Sequence, residues 1–119
     1  MRQRMNWQPG NRQAFFKIIK NNIMVILKEQ EEQIVNFGVF EYDSLKMSNI
    51  LDVPEQEIIK EMKNISSDFY KLYQKGVDMA DYVIDLKLFD MAKSGDIKAL
   101  DKLDFRKRSR FDALKKRNK

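Results

Sequence analysis

The sequence predicts an all-α protein. Three observations carry this reading: only four glycines and two prolines punctuate 119 residues, apolar residues recur at three- and four-residue intervals, and capping residue types stand where those runs begin and end. With 43% hydrophobic and 34% charged residues, the chain has material for a modest core. A domain of this length buries roughly 60–70% of the surface its unfolded form exposes.

The first predicted helix is capped by Asn11 and runs to about Asn36, with Phe15, Ile19, Ile23, Ile26 and Ile34 on one side and polar Gln30 interrupting them. Gly38, within Phe37-Gly38-Val39-Phe40, is its expected left-handed stop. A short second helix starts at the cap Asp43, takes in Leu45, Ile50 and Leu51, and ends at Asp52-Val53-Pro54. Proline disfavours helical geometry in the residue before it and suits the first turn of the helix that follows. The third helix is expected from Glu55 to Gln74, with Ile58, Met62, Ile65, Phe69 and Leu72 as its stripe and Glu55 and Glu57 in the first turn, where the macrodipole favours anions. Lys75-Gly76 reads as its end.

A fourth helix presents Val77, Ala80, Ile84, Leu88 and Met91 on one face. In Ala92-Lys93-Ser94-Gly95-Asp96, Gly95 supplies the positive φ that closes it and Asp96 caps a fifth helix with Ile97, Leu100 and Leu103 as apolar positions. So short a link makes the two helices a hairpin. Phe105, Phe111 and Leu114 carry the pattern on into a segment whose last ten residues are expected to fray. The organisation is thus a basic arm over residues 1–12, a helical domain over 13–76, a hairpin over 77–105 and a basic tail over 106–119.

Composition narrows the chemistry. The chain has no cysteine and no histidine, so thiolate nucleophiles, the usual general base and the commonest metal ligands are missing. Nor does it contain a Gly-x-x-x-x-Gly-Lys-Ser/Thr loop for nucleotide phosphates. No catalytic residue, metal or cofactor is expected. The group Asp78, Asp81 and Asp85 is the one loose match to a metal site, and it reads better as a solvated face in the first two turns of a helix. Neither a membrane span nor a signal peptide is expected, since the longest apolar run is Ile23 to Leu27. A cytosolic location follows.

Charge is unevenly distributed. Residues 1–12 hold three arginines and no acid, residues 13–101 hold 11 lysines against 16 acids, and residues 102–119 hold nine basic residues against Asp104 and Asp112. Basic ends around an acidic middle suggest polyanion binding by the ends. Residues 44–74 have the form of a helix-turn-helix, with Val53 as the buried turn residue and Gln56, Lys60, Lys63 and Asn64 as polar positions able to meet a DNA groove. Glu55, Glu57 and Glu61 would oppose this, since carboxylates near a reading surface repel phosphates.

The order of these elements, with "ILDVPEQEIIKEM" followed by "VIDLKLFDMAKSGDIKALDKLDFRKR", resembles small terminase subunits of tailed bacteriophages and related phage helix-turn-helix proteins. Leu88, Ala92, Gly95, Asp96 and Ala99 ahead of a basic run look like that family's helical hairpin. The resemblance covers roughly residues 44–110. It implies a non-enzymatic subunit in the host cytoplasm that forms a homo-oligomeric ring, binds viral double-stranded DNA and presents it to the large terminase subunit, which carries the ATPase and nuclease. By position, Gln56, Lys60, Lys63 and Asn64 would lie on the recognition helix, and Val77, Ala80, Ile84, Leu88, Met91, Ile97, Leu100 and Leu103 would form the oligomer interface. Phosphate contacts are expected from Arg2, Arg4 and Arg12 and from Arg106, Lys107, Arg108, Arg110, Lys115, Lys116 and Arg117. Pro54 stands where that family usually places a Ser or Thr cap. The alternatives are a dimeric helix-turn-helix transcription regulator, or a structural or adaptor helical protein of a virion.

Overall fold

The computed structural model describes residues 19–20, 23–24 and 26–117, and the all-α class holds. Among these residues are five helices: α1 (Lys28–Phe40), α2 (Ser44–Leu51), α3 (Glu55–Lys63), α4 (Asp68–Lys93) and α5 (Ile97–Arg117). One antiparallel pair precedes them, β1 (Ile19–Lys20) with β2 (Ile23–Met24), in the register Ile19 to Met24 and Lys20 to Ile23. The chain forms two compact units, one through Asp78 and one from Met79.

Several expected boundaries move, each for a physical reason. The first helix was expected from Asn11. Residues 11–18 lie outside the described residues, but residues 19–20 and 23–24 are extended and the helix begins at Lys28. Gln30, which looked like an interruption, accepts the Leu27 N–H at 3.0 Å and so serves one of the donors that every helix start leaves open. Nor does Gly38 stop this helix. The turn comes at Glu41, whose φ is 55°, where Glu41 N–H donates to Gly38 O and Tyr42 N–H to Phe37 O, each at 3.1 Å. That double bond pattern is a Schellman closure with a carboxylic residue in the left-handed position usually given to glycine.

The single helix expected over 55–74 is two helices. The Asn64 side chain accepts from Ser66 N–H at 3.0 Å, Ser67 Oγ accepts from Tyr70 N–H at 3.0 Å, and the same hydroxyl donates to Glu61 O at 3.0 Å. These local bonds compete with the helical ladder and restart it at Asp68. Ile65, counted as part of the apolar stripe, is left 72% exposed.

Gly76 is not a stop either; α4 passes through it without a break. Gly38 and Gly76 instead let α1 and α4 touch backbone to backbone. A Cβ on Gly38 would lie 1.8 Å from Tyr73 O, and one on Gly76 would lie 1.9 Å from Val35 O. Around this crossing the first unit packs Met24, Ile34, Phe37, Met47, Leu51, Val53, Ile58 and Phe69, with Tyr42, Met62, Leu72 and Tyr73 against them. Phe69, Ile34, Met47 and Ile58 are fully enclosed, and burying each such side chain contributes about 1.5–3 kcal/mol. Tyr73 also ties the α1–α2 link, donating its hydroxyl to Tyr42 O at 2.9 Å.

The second unit is a hairpin of the latter part of α4 and all of α5. At the turn, Gly95 takes φ 105° and Asp96 Oδ1 accepts from Ala99 N–H at 3.1 Å, the stop and the cap read from the sequence. The fifth helix continues through the basic segment to Arg117, in line with the spacing of Phe105, Phe111 and Leu114 and without fraying in its last ten residues. None of the helices is long and apolar enough to cross a membrane among the described residues.

Candidate nucleic-acid interface

The α2–α3 pair is built by its link. Asp43 Oδ1 caps α2 by accepting from Lys46 N–H at 2.8 Å. At the far end Asp52 adopts φ 57°, Ser48 Oγ donates to Val53 O at 2.6 Å, and Val53 inserts its side chain into the core. Pro54 has no N–H to lose, and its carbonyl accepts from Glu57 N–H at 3.0 Å to open α3. Met47, Leu51, Val53 and Ile58 are buried on the inner side. Gln56, Lys60, Lys63 and Asn64 are exposed on the outer side.

Placement of the three carboxylates alters the electrostatics expected from the sequence. Glu55 Oε2 accepts from Ser44 Oγ at 2.8 Å, which holds it at the start of α2. Glu57 sits 3.5 Å from Lys60 Nζ. Glu61 is turned inward and only 6% exposed, and burial pushes its carboxyl above the ordinary range, with Lys60, the Met24 amide and the Ser67 hydroxyl pulling the other way and Glu57 adding to the rise. The outer face of α3 is therefore less acidic than its sequence.

The hairpin joins residues that the sequence kept in separate regions. Arg106 Nε donates to Asp85 Oδ1 at 2.6 Å and Arg106 Nη2 to Asp81 Oδ1 at 3.2 Å, while Arg110 Nη2 lies 2.7 Å from Asp85 Oδ2. Burial alone would raise the Asp85 carboxyl, but the bonds and charges of Arg106 and Arg110 hold it below the usual carboxylate range. Arg106, whose bond to Asp85 is the main cause, is held even more firmly in its charged form. These two arginines were expected to meet phosphate; here they neutralise aspartates. Arg108 pairs with Asp104 at 3.0 Å on the exposed side. Lys107, Lys115, Lys116 and Arg117 are exposed, with Lys115 Nζ 4.9 Å from the Phe111 ring centre. Arg2, Arg4 and Arg12 lie outside the described residues.

Asp78, Asp81 and Asp85 do not gather. Asp78 accepts from Gln74 at 3.1 Å, the other two hold arginines, and no cluster of acidic side chains able to hold a metal occurs among the described residues.

The expected interface residues divide between the hairpin's interior and its flanks. Leu88, Met91 and Leu103 are half-buried, as are Val77 and Ala80, whereas Ile84, Ile97 and Leu100 are exposed. In the second unit Ala99 alone is buried among the described residues. Sequence reading missed Tyr82, Leu86 and Phe89, all exposed and all lining a groove with Leu100 and Leu103. Their spacing of four and three residues was the available sign; it runs beside the stripe through Ile84 and was masked by it.

Compared with known proteins, the chain matches no family model, and no curated protein or solved structure is significantly similar to it.

Proposed function

We propose that this chain is a non-enzymatic DNA-recognition subunit of a viral genome-packaging machine, of the small terminase kind. In this reading α2 and α3 are the helix-turn-helix, and the observation that carries it is the outward face of α3: Gln56, Lys60 and Lys63 are exposed while Glu61 is buried and Glu55 is held by Ser44. Base edges would be met from that face. Lys115, Lys116 and Arg117 on the last turn of α5 add sequence-tolerant phosphate contacts. The apolar flank of α4 through Ile84 and Met91 mediates self-association into a ring, where weak contacts repeated around the assembly become strong together. The large terminase subunit is the partner that would receive the DNA, in the host cytoplasm.

Light scattering on the purified protein, at low and high salt, with and without duplex DNA, tests this. A closed assembly larger than a dimer that gains mass with DNA at low salt is the expected result. A dimer that binds a two-fold site with half-sites about one helical turn apart would instead mark a transcription regulator. No DNA association at any salt would leave a structural or adaptor role.

A further inference from the structure

We propose that the groove on the hairpin is a docking site for an acidic amphipathic helix of another protein. Tyr82, Leu86 and Phe89 form one wall and Leu100 and Leu103 the other, around about 630 Å³ of open space. On each helix the apolar side chains recur at three- or four-residue spacing, so the groove runs along the helix axes and has the shape that a third helix fills. Among the described residues the hairpin encloses Ala99 alone, and such a helix would cover apolar side chains that it leaves exposed.

Charge decides which helix. Lys93, Lys107 and Arg110 border the groove, and its single acid, Asp85, is already bonded by Arg106 and Arg110. Lys107 has no ion-pair partner among the described residues. Lys93 lies 3.7 Å from Asp90 with both side chains 60% exposed, a surface pairing that leaves its charge largely open to other anions. The apolar walls offer nothing to a DNA backbone, which excludes a duplex as occupant. Two copies packed groove to groove would bring both sets of border cations into one interface, which disfavours that symmetric pairing; a copy that presented another face, as in a ring, is the outcome the oligomer readout of Phe89→Asp tests. What remains is a helix with apolar residues at i, i+4 and i+7 and acids flanking them. This does not rest on the DNA-binding reading, because the groove and its border lie on other residues than the outer face of α3.

The test uses the full chain and a fluorescein-labelled peptide of about 15 residues, with leucine at i, i+4, i+7 and i+11 and glutamate on the flanks, followed by anisotropy. A matched peptide carries lysine in place of glutamate. The acidic peptide is expected to bind at least about tenfold more tightly than the basic one, a difference that shrinks with salt. Phe89→Asp should abolish binding. The double variant Lys93→Glu, Lys107→Glu changes two exposed side chains and should invert the preference, which decides the matter even if Phe89→Asp fails to fold. Equal affinity for the two peptides, or an unchanged preference in the charge-reversed variant, overturns the proposal. So does displacement of the acidic peptide by duplex DNA, or loss of the protein's own oligomers in Phe89→Asp, since either puts a different occupant in the groove.

Discussion

Replacing Gly76 with alanine pits two effects of opposite sign against each other. In an isolated helix the change favours folding by about 1 kcal/mol, because alanine loses less backbone entropy. Here the new Cβ would sit 1.9 Å from Val35 O, 2.8 Å from Val39 N and 2.9 Å from Val35 C, against an ordinary contact of at least 3.4 Å. The shortfall of about 1.5 Å is against backbone atoms, which no rotamer change can move. To accommodate it α1 and α4 must part, and a gap of even 0.5–1 Å forfeits roughly a quarter to a half of the dispersion attraction across a contact. Overpacking of a tight core costs about 1–3 kcal/mol and occasionally more; with backbone as the obstacle and Ile34, Phe37 and Phe69 losing contacts the cost falls at the upper end, and less the helix gain the net expectation is a destabilisation of about 2 kcal/mol. Urea denaturation followed by far-ultraviolet circular dichroism, at fixed protein concentration so that association does not shift the midpoint, measures it. A Gly76→Ala variant as stable as the parent, or more so, would refute the backbone crossing. Gly38→Ala should behave likewise, because its Cβ would meet Tyr73 O at 1.8 Å. Gly95→Ala provides the contrast: nothing stands within 4 Å there, and the cost of roughly 1–2 kcal/mol comes only from a φ of 105°.

Glu41→Gly should stabilise the first unit by about 0.5–1 kcal/mol, read in the same denaturation assay, because it removes a side chain from the left-handed position at φ 55°. Glu61, whose carboxyl is raised by burial, favours the fold while protonated, and that contribution is lost as pH rises through its folded-state value. Melting curves across pH should therefore show Glu61→Gln gaining on the parent toward neutrality, with the gap closing below the ordinary carboxylate range. Asp85 has the opposite sign: its lowered carboxyl stabilises above the ordinary range, and that contribution fades as acid protonates it, so Asp85→Asn should flatten the acid limb of the hairpin's melting profile. Changing Lys115, Lys116 and Arg117 to alanine should reduce the slope of log K against log salt for duplex DNA by about 0.9 per lost contact, whereas Arg106→Ala should lower thermal stability and leave that slope unchanged. In the proposed ring, Ile84→Asp should prevent self-association with helicity retained; a fully associated, folded variant by light scattering would move the interface elsewhere.

What the sequence disclosed depended on how local the cause was. Asp43, Pro54, Gly95 and Asp96 act within a turn of their own position, and the boundaries they set were legible. Gly38 and Gly76 act on each other across 38 residues of chain; read one at a time they look like helix stops, and only their meeting shows that each makes room for the other helix. The restart at Ser67 was local and still hidden, since the apolar spacing from Ile58 to Leu72 runs smoothly across it and outweighed the Asn64 and Ser67 side chains that break the ladder. On the candidate site, exposure of Gln56, Lys60 and Lys63 followed from the helical spacing of their buried neighbours. The inward turn of Glu61 did not, because no spacing rule predicts a buried acid. Nor could the regional count of charges reveal that Asp81 and Asp85 would take Arg106 and Arg110 out of the basic segment.

The aspartate–arginine cluster also governs how the hairpin closes. Toward the Gly95 turn the seam holds Leu88, Ala92, Ala99 and Leu103, side chains that would tolerate sliding past one another; further along, Asp81 and Asp85 are paired with Arg106 and Arg110. A slide of α5 by one turn that brought Leu103 opposite Asp85 would strand a carboxylate against a hydrocarbon and leave Arg106 without its mate. The ionic end thus adds a register preference that the apolar end lacks, favouring the native hairpin over one slipped in that direction.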